Sequence, residues 1–283
     1  MPPLLHLGDA PFDLDAITGI RHELAAHPLL ALPKLRALAN RLQTVRYHSG
    51  KLAATDSFEH AAKEHPNGLT MDQTIENLEH AGSWVYFSHI ESDPEYKPLV
   101  DEVLDCVQSQ LPSGSGPLLL RAGWVFLSSP GAVTPYHMDH EQNFLLQIRG
   151  SKIINVWDPR DRSVVSESEL ESFHATYTLK ETKYREEFQP KACVFHAKSG
   201  EGAYMPFTAP HWVTNGPEVS VTFSCTFVTP QAQREGQAFA ANHKLRQLGM
   251  SPRPVGSSPM RDSLKGQVFR AWKSTRGLIA KKP

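Results

Sequence analysis

Between residues 117 and 229 the chain reads as six short β-rich runs, at 118–128, 143–149, 152–157, 192–197, 202–206 and 219–228, separated by turns. No helical periodicity lies between successive runs, which argues against a doubly wound parallel sheet. Many short strands joined by turns close instead into a sandwich or barrel. One long interruption, 158–191, is polar and charged. It reads either as a lid over the barrel mouth, the preferred assignment, or as a solvated insertion.

Two segments of this region carry residues suited to chemistry. Val133-Thr134-Pro135-Tyr136-His137-Met138-Asp139-His140 reads as a turn and a short strand bearing His-x-Asp. Residues two apart on a strand point to the same side. His137 and Asp139 therefore face one cavity, with Met138 and His140 on the other face. An imidazole and a carboxylate aimed at one point are two members of the facial triad that holds non-haem Fe(II) and leaves positions open. The third is expected from a distant strand, and His211 is the candidate. A Gly-rich turn at Gly200-Glu201-Gly202, a short apolar strand and a Pro-bounded loop deliver it to the start of another strand. One His among 14 means little alone. The two segments together, each in strand-and-turn context, support the metal site.

The flanks differ in texture. Residues 1–116 read as a mostly helical region that braces the sheet, 117–229 as the β domain, and 230–283 as a C-terminal helical extension. In the first, Leu35, Leu38 and Leu42 follow Pro33 at helical spacing, and Thr70-Met71-Asp72-Gln73 has capping-box form. A strand is expected at 83–90, and Asp93-Pro94 opens a helix bearing Leu99, Val103, Leu104 and Val107. In the extension, a helix over 231–248 stops at Gly249, and a last helix carries Leu264, Val268, Trp272 and Ile279 on one stripe. Residues 244–283 hold ten Lys or Arg against one acid, Asp262. Such a segment fits a nucleic-acid or membrane patch, or an amphipathic helix docking on the barrel or on a second subunit. The apolar stripe favours the docking helix and a homodimer.

Composition narrows the class. A length of 283 residues supports a sizeable core, and a formal net charge of −1 gives no global electrostatic case for nucleic acid. No run approaches the roughly 20 apolar residues of a membrane span. Met1 to His6 lack a basic stretch followed by an apolar one, so no signal peptide is expected. Cys106, Cys193 and Cys225 form no CxxC pair and are expected to be buried thiols in a reducing compartment, the cytoplasm.

Two further features bear on what the site would bind. If the strand alternates from Lys152, that cation shares a face with Ile154 and Val156. A cation on an interior face is costly unless an anion meets it, and a dicarboxylate reaching from the metal would be that anion. The alternative places Lys152 at the exposed start of its strand. In the last strand, Val219, Val221, Phe223, Cys225 and Phe227 share one face and Ser220, Thr222, Ser224 and Thr226 the other. Buried hydroxyls need partners, so that polar face is either solvated or lines a polar cavity. The short turn from His211 favours the cavity.

The run from Thr134 through His137 and Asp139 to Asn143 and Lys152, followed by 206–211, resembles the JmjC and cupin-like Fe(II)- and 2-oxoglutarate-dependent oxygenases. The likeness is greatest to hydroxylases of the factor-inhibiting-HIF group and covers about 117–229. It implies a double-stranded β-helix, a cupin-like jelly roll, mainly β and braced by helices at both ends. It implies His137, Asp139 and His211 as iron ligands. Lys152 and Thr134 would meet the distal carboxylate of 2-oxoglutarate, with Asn143 near its metal-binding end. Ser224 would lie beside the cosubstrate, or Thr222 or Thr226 after a register shift. No family tyrosine aligns, and Trp124 or Phe126 is expected nearby. The implied reaction consumes O2 and hydroxylates a protein or peptide side chain or a small metabolite, with succinate and CO2 as coproducts; demethylation begins the same way. Two other readings use the same pocket: a non-catalytic cupin-like ligand-binding regulator, and a metal-dependent cupin enzyme without 2-oxoglutarate. Lys152 with Asn143 argues against the latter.

Overall fold

The computed structural model describes residues 3–8, 11–49, 52–58 and 67–279. Its strands are β1 (Leu5–His6), β2 (Thr18–His22), β3 (Val45–Ser49), β4 (Ser83–Ser88), β5 (Leu119–Ser128), β6 (Val133–His137), β7 (Gln142–Arg149), β8 (Ser151–Val156), β9 (Cys193–Lys198), β10 (Glu201–Met205), β11 (His211–Asn215) and β12 (Ser220–Val228). The helices are α1 (Leu32–Ala39), α2 (Met71–Glu76), α3 (Lys97–Ser109), α4 (Glu167–Thr176), α5 (Pro230–Gln247) and α6 (Pro259–Ile279). No helix among the described residues is long and apolar enough to cross a membrane.

All pairings are antiparallel. They form an eight-stranded sheet in the order β1-β2-β10-β7-β12-β5-β4-β3 and a four-stranded sheet in the order β6-β11-β8-β9. This is the expected jelly roll. The larger sheet has two buried faces. Val125 and Leu127 of β5, and Val221, Phe223, Cys225 and Phe227 of β12, pack outward on α1 and α3, whose Leu35, Leu38, Leu99, Val103, Leu104 and Val107 are buried at helical spacing. The inner face meets the small sheet through a second cluster that includes Leu145, Ile154, Val156, Met205 and Val213.

Gly150 closes the β7–β8 turn at φ +74°, where a Cβ would meet the Val219 carbonyl at 2.9 Å. The turn sets the start of β8, and Lys152 with it.

Three expectations are corrected. The region before residue 117 is not mostly helical: β1 and β2 extend one edge of the large sheet, and β4 and β3 the other. The helices cover the sheet while these short strands complete it. The segment 158–191 is not a lid. It caps α4 with a Ser166–Glu169 box and lies against the small sheet from outside, where Val164 and Phe188 pack on Tyr136 and Trp157. The thiols are free but only Cys225 is buried; Cys193 opens the edge strand β9 and is exposed. The helix expected to end at Gly249 does so, with that glycine at φ +80°. Leu264, Val268 and Trp272 of α6 are exposed, and the side chain of Ile279 lies outside the described residues.

Candidate active site

A cavity of ≈ 440 Å³ opens between the two sheets. The small sheet lines it with Thr134 and His137 from β6, Lys152 from β8, and His211 and Val213 from β11. The large sheet adds Tyr86 from β4, Trp124 and Phe126 from β5, Asn143 and Leu145 from β7, and Ser224 and Thr226 from β12. No residue of 158–191 lines it.

His137 and His211 are directly opposite each other on paired strands, with their rings 4.1 Å apart between centroids. Asp139 lies just past the end of β6, in the turn before β7, and not on the strand itself. Its carboxylate still turns toward both imidazoles. One donor atom from each of the three lies within 4.8 Å of the others, a grouping that could hold a metal ion. The expected opposite face is correct: Met138 joins an apolar cluster, and His140 stacks on Phe173 with ring centroids 3.8 Å apart.

Both imidazoles are set for coordination by their own backbone. His137 Nδ1 donates to the carbonyl of Pro135 at 2.8 Å, and His211 Nδ1 to that of Ala209 at 3.0 Å. A carbonyl only accepts, so the proton is on Nδ1 and the lone pair on Nε2. Each Nε2 is 3.8 Å from an Asp139 oxygen, too far for a direct hydrogen bond. Fixing the distal nitrogen this way is how histidine ligands are oriented for metals. The donor set therefore fits a divalent ion. Burial, with His211 adjoining, pushes the His137 imidazole down to about 4, which keeps it neutral. Burial works against ionisation of Asp139, but the two imidazoles and Asn143 outweigh it and hold the carboxyl below its ordinary value.

Behind the triad, Asn143 Nδ2 donates to Asp139 Oδ2 at 3.2 Å, while Asn143 Oδ1 accepts from Ser224 Oγ at 2.5 Å. The remaining hydroxyls of that strand face are also partnered. Trp124 Nε1 donates to Thr226 Oγ1, and Gln147 bridges Thr222 and Ser220. Thus Ser224 and Thr226 reach the cavity, and Thr222 is held by Gln147.

Lys152 is buried, and no described residue forms an ion pair or hydrogen bond with its ammonium. Burial alone pushes it down to about 7. A buried cation left unpaired in a cavity wall is costly unless an anion meets it.

Several lining residues escaped the sequence reading, Tyr86 and Glu141 among them. Tyr86 lines the cavity beside Phe126, with ring centroids 6.0 Å apart, and Trp124, 6.3 Å away. The signal was its place in the 83–90 strand, one residue from core positions Val85 and Phe87. Glu141 also lines the cavity, where burial and the neighbouring Asp139 push its carboxyl up to about 7.

Crystal structures of the ribosomal oxygenase YcfD from Escherichia coli are similar to this chain. One, in complex with cobalt and succinic acid, is 15% identical over 91% of this chain and 63% of that one, with a TM-score of 0.49. Another is 14% identical over 91% of this chain and 63% of that one, with a TM-score of 0.48. The chain spans less than two thirds of the length of these relatives. No curated protein matches it. The family model described as a cupin-like domain matches residues 33–230, well over half the sequence, and the chain belongs to that cupin-like domain family.

Proposed function

We propose that this chain is an Fe(II)- and 2-oxoglutarate-dependent oxygenase that hydroxylates its substrate. One observation carries the reading: a metal-ready His137, Asp139 and His211 group and an unpaired buried ammonium, Lys152, share one cavity. A dicarboxylate anchored at the metal and ending on Lys152 answers both. His137, Asp139 and His211 would hold the iron, and Thr134 and Lys152 the distal carboxylate. Asn143 and Ser224 support the metal-binding end by fixing Asp139. The bound iron supplies the oxidation: 2-oxoglutarate and O2 give succinate and CO2, with the second oxygen atom inserted into a substrate C–H bond.

The chain's own contribution is positional. The backbone carbonyls at Pro135 and Ala209 hold the imidazole lone pairs inward, and Asn143 holds Asp139 as an anion without spending its second oxygen. Aromatic rings wall off water on the substrate side. The substrate is a protein or peptide side chain or a small metabolite. The exposed stripe on α6 supports a homodimer through the C-terminal helices, and the free thiols suit a reducing compartment such as the cytoplasm.

Anaerobic Fe(II) titration tests the metal site. One tight equivalent per chain is expected in the wild type and in His140→Ala, and its loss in His137→Ala, Asp139→Ala and His211→Ala. Equal binding by all the variants would remove the triad.

A further inference from the structure

His137 has a neighbour that belongs to neither sheet. Phe58, in the segment 52–58 between β3 and β4, stacks on its ring with centroids 4.2 Å apart and planes 7° apart. On its way to the large sheet Phe58 also meets Trp84 of β4, 6.3 Å away at 20°. Three near-parallel rings therefore run from the small sheet through Phe58 to the large one, and Phe58 lines the cavity between them. The His137 ring also adjoins His211, tilted by 53°. With its Nδ1 fixed on the Pro135 carbonyl, the flat contact with Phe58 holds the plane in which the Nε2 lone pair points.

The segment itself is a strap. Leu52 is buried at one end, and Ala53, Thr55, Asp56 and Ser57 are exposed. Asp56 closes a local turn: its amide donates to the Ala53 carbonyl at 3.1 Å, and its carboxylate accepts from the Ala53 amide at 2.6 Å. The Tyr136 amide of β6 donates to the Ala54 carbonyl at 3.0 Å. The strap thus grips two consecutive residues of the metal-bearing strand, Tyr136 through its backbone and His137 through its aromatic ring. A segment so exposed opens at lower cost than the core strands.

A divalent ion on Nε2 draws electron density from the imidazole, and an electron-poor ring is held more strongly by the negative face of a phenyl ring. Metal loading and docking of the strap therefore favour each other, by the same factor in both directions. We propose that Phe58 is a positioning residue for the metal site: it sets the plane of the His137 ring, and metal loading in turn clamps the 52–58 strap as an end wall of the cavity. This rests on the metal triad of the reading above and is independent of which substrate is oxidised.

Titration of the full chain with Co(II), a redox-stable stand-in for Fe(II), tests this together with hydrogen exchange. Phe58→Leu, apolar but without a π face, should bind Co(II) about two- to tenfold more weakly than the wild type, and Phe58→Tyr, which keeps the ring, should restore the affinity. The visible spectrum of the bound Co(II), which reports how its ligands are oriented, should change in Phe58→Leu and not in Phe58→Tyr. In the wild type, Co(II) should slow exchange at the Tyr136 amide and over 52–58 by about the same two- to tenfold factor, and by less in Phe58→Leu. Unchanged Co(II) affinity and spectrum in a folded Phe58→Leu, or exchange over 52–58 that is indifferent to the metal in the wild type, would overturn the proposal. The wild-type exchange contrast decides even if a variant does not fold. A wild type that binds no metal removes the triad and this proposal with it. A wild type that binds the metal with its strap exchange unchanged removes this proposal alone.

Discussion

Lys152 is where burial and charge are most opposed. With no described partner its ammonium is pushed down to about 7 by burial, so the free protein holds it largely neutral above that pH. For a lysine depressed in this way the unfolded chain binds the extra proton. The folded state therefore gains stability as pH rises from about 7 toward the ordinary lysine value of about 10.4, and loses it below. A dicarboxylate restores the charge, so 2-oxoglutarate binding near pH 8 should take up close to one proton. The measurement is the dependence of binding enthalpy on buffer ionisation enthalpy, and the uptake should vanish in Lys152→Ala. That variant should also lose about 30- to 1,000-fold in 2-oxoglutarate affinity, about 2–4 kcal/mol, with iron binding retained. Lys152→Arg should remain impaired, because a guanidinium is wider and its donors form a fixed fork. Undiminished affinity in Lys152→Ala would put the cosubstrate elsewhere. At this scale the sequence was legible wherever chemistry and spacing coincided, as at His137, Asp139 and His211. Tyr86 was not legible, because a tyrosine beside Trp84, Val85 and Phe87 reads as core. Only the pairing of β4 with β5 sets Tyr86 against Phe126 and thereby into the cavity.

The strands of the β-helix were legible from their own alternation, and β12 is the clearest case. Its apolar face meets α3, and its hydroxyl face meets Gln147, Asn143 and Trp124. The outer strands β1, β2 and β3 were not legible. They are short, and their extended form depends on pairing with partners far away in sequence. The outward packing of 158–191 was hidden for a similar reason: Val164 and Phe188 find Tyr136 and Trp157 only after the small sheet has formed. Strand proximity makes a sharp prediction at Gly202 of β10, where an added Cβ would lie 2.2 Å from the Leu145 carbonyl oxygen of β7. Backbone cannot yield without parting the two strands. Gly202→Ala should therefore destabilise by about 3 kcal/mol or more, at or beyond the usual overpacking range. At Gly123 a Cβ would meet side chains, Val100 Cγ2 at 2.5 Å and Ile90 Cγ1 at 2.7 Å, and these can shift. Gly123→Ala should cost less, about 1–3 kcal/mol. Urea unfolding ranks the two, and a Gly202→Ala protein as stable as wild type would contradict the register.

Across the whole molecule, both helical ends serve the jelly roll differently. The N-terminal helices bury their apolar faces on the large sheet, whereas α6 leaves Leu264 and Val268 62% and 61% exposed. A second copy covering that stripe would bury it, at about 25 cal/mol per Å² of apolar area. Sedimentation should then show a wild-type dimer and a monomeric Val268→Glu, whose exposed position spares the fold; a monomeric wild type would leave the stripe unexplained. One metal, one dicarboxylate and one cavity would meet in this site, and succinate formation reports on all three. Purified protein given Fe(II), O2 and 2-oxoglutarate, without any added substrate, should release succinate slowly and in equal amount to CO2. Release should stop on iron chelation and in Asp139→Ala. Iron bound at His137, Asp139 and His211 with no succinate formed from 2-oxoglutarate would contradict the account.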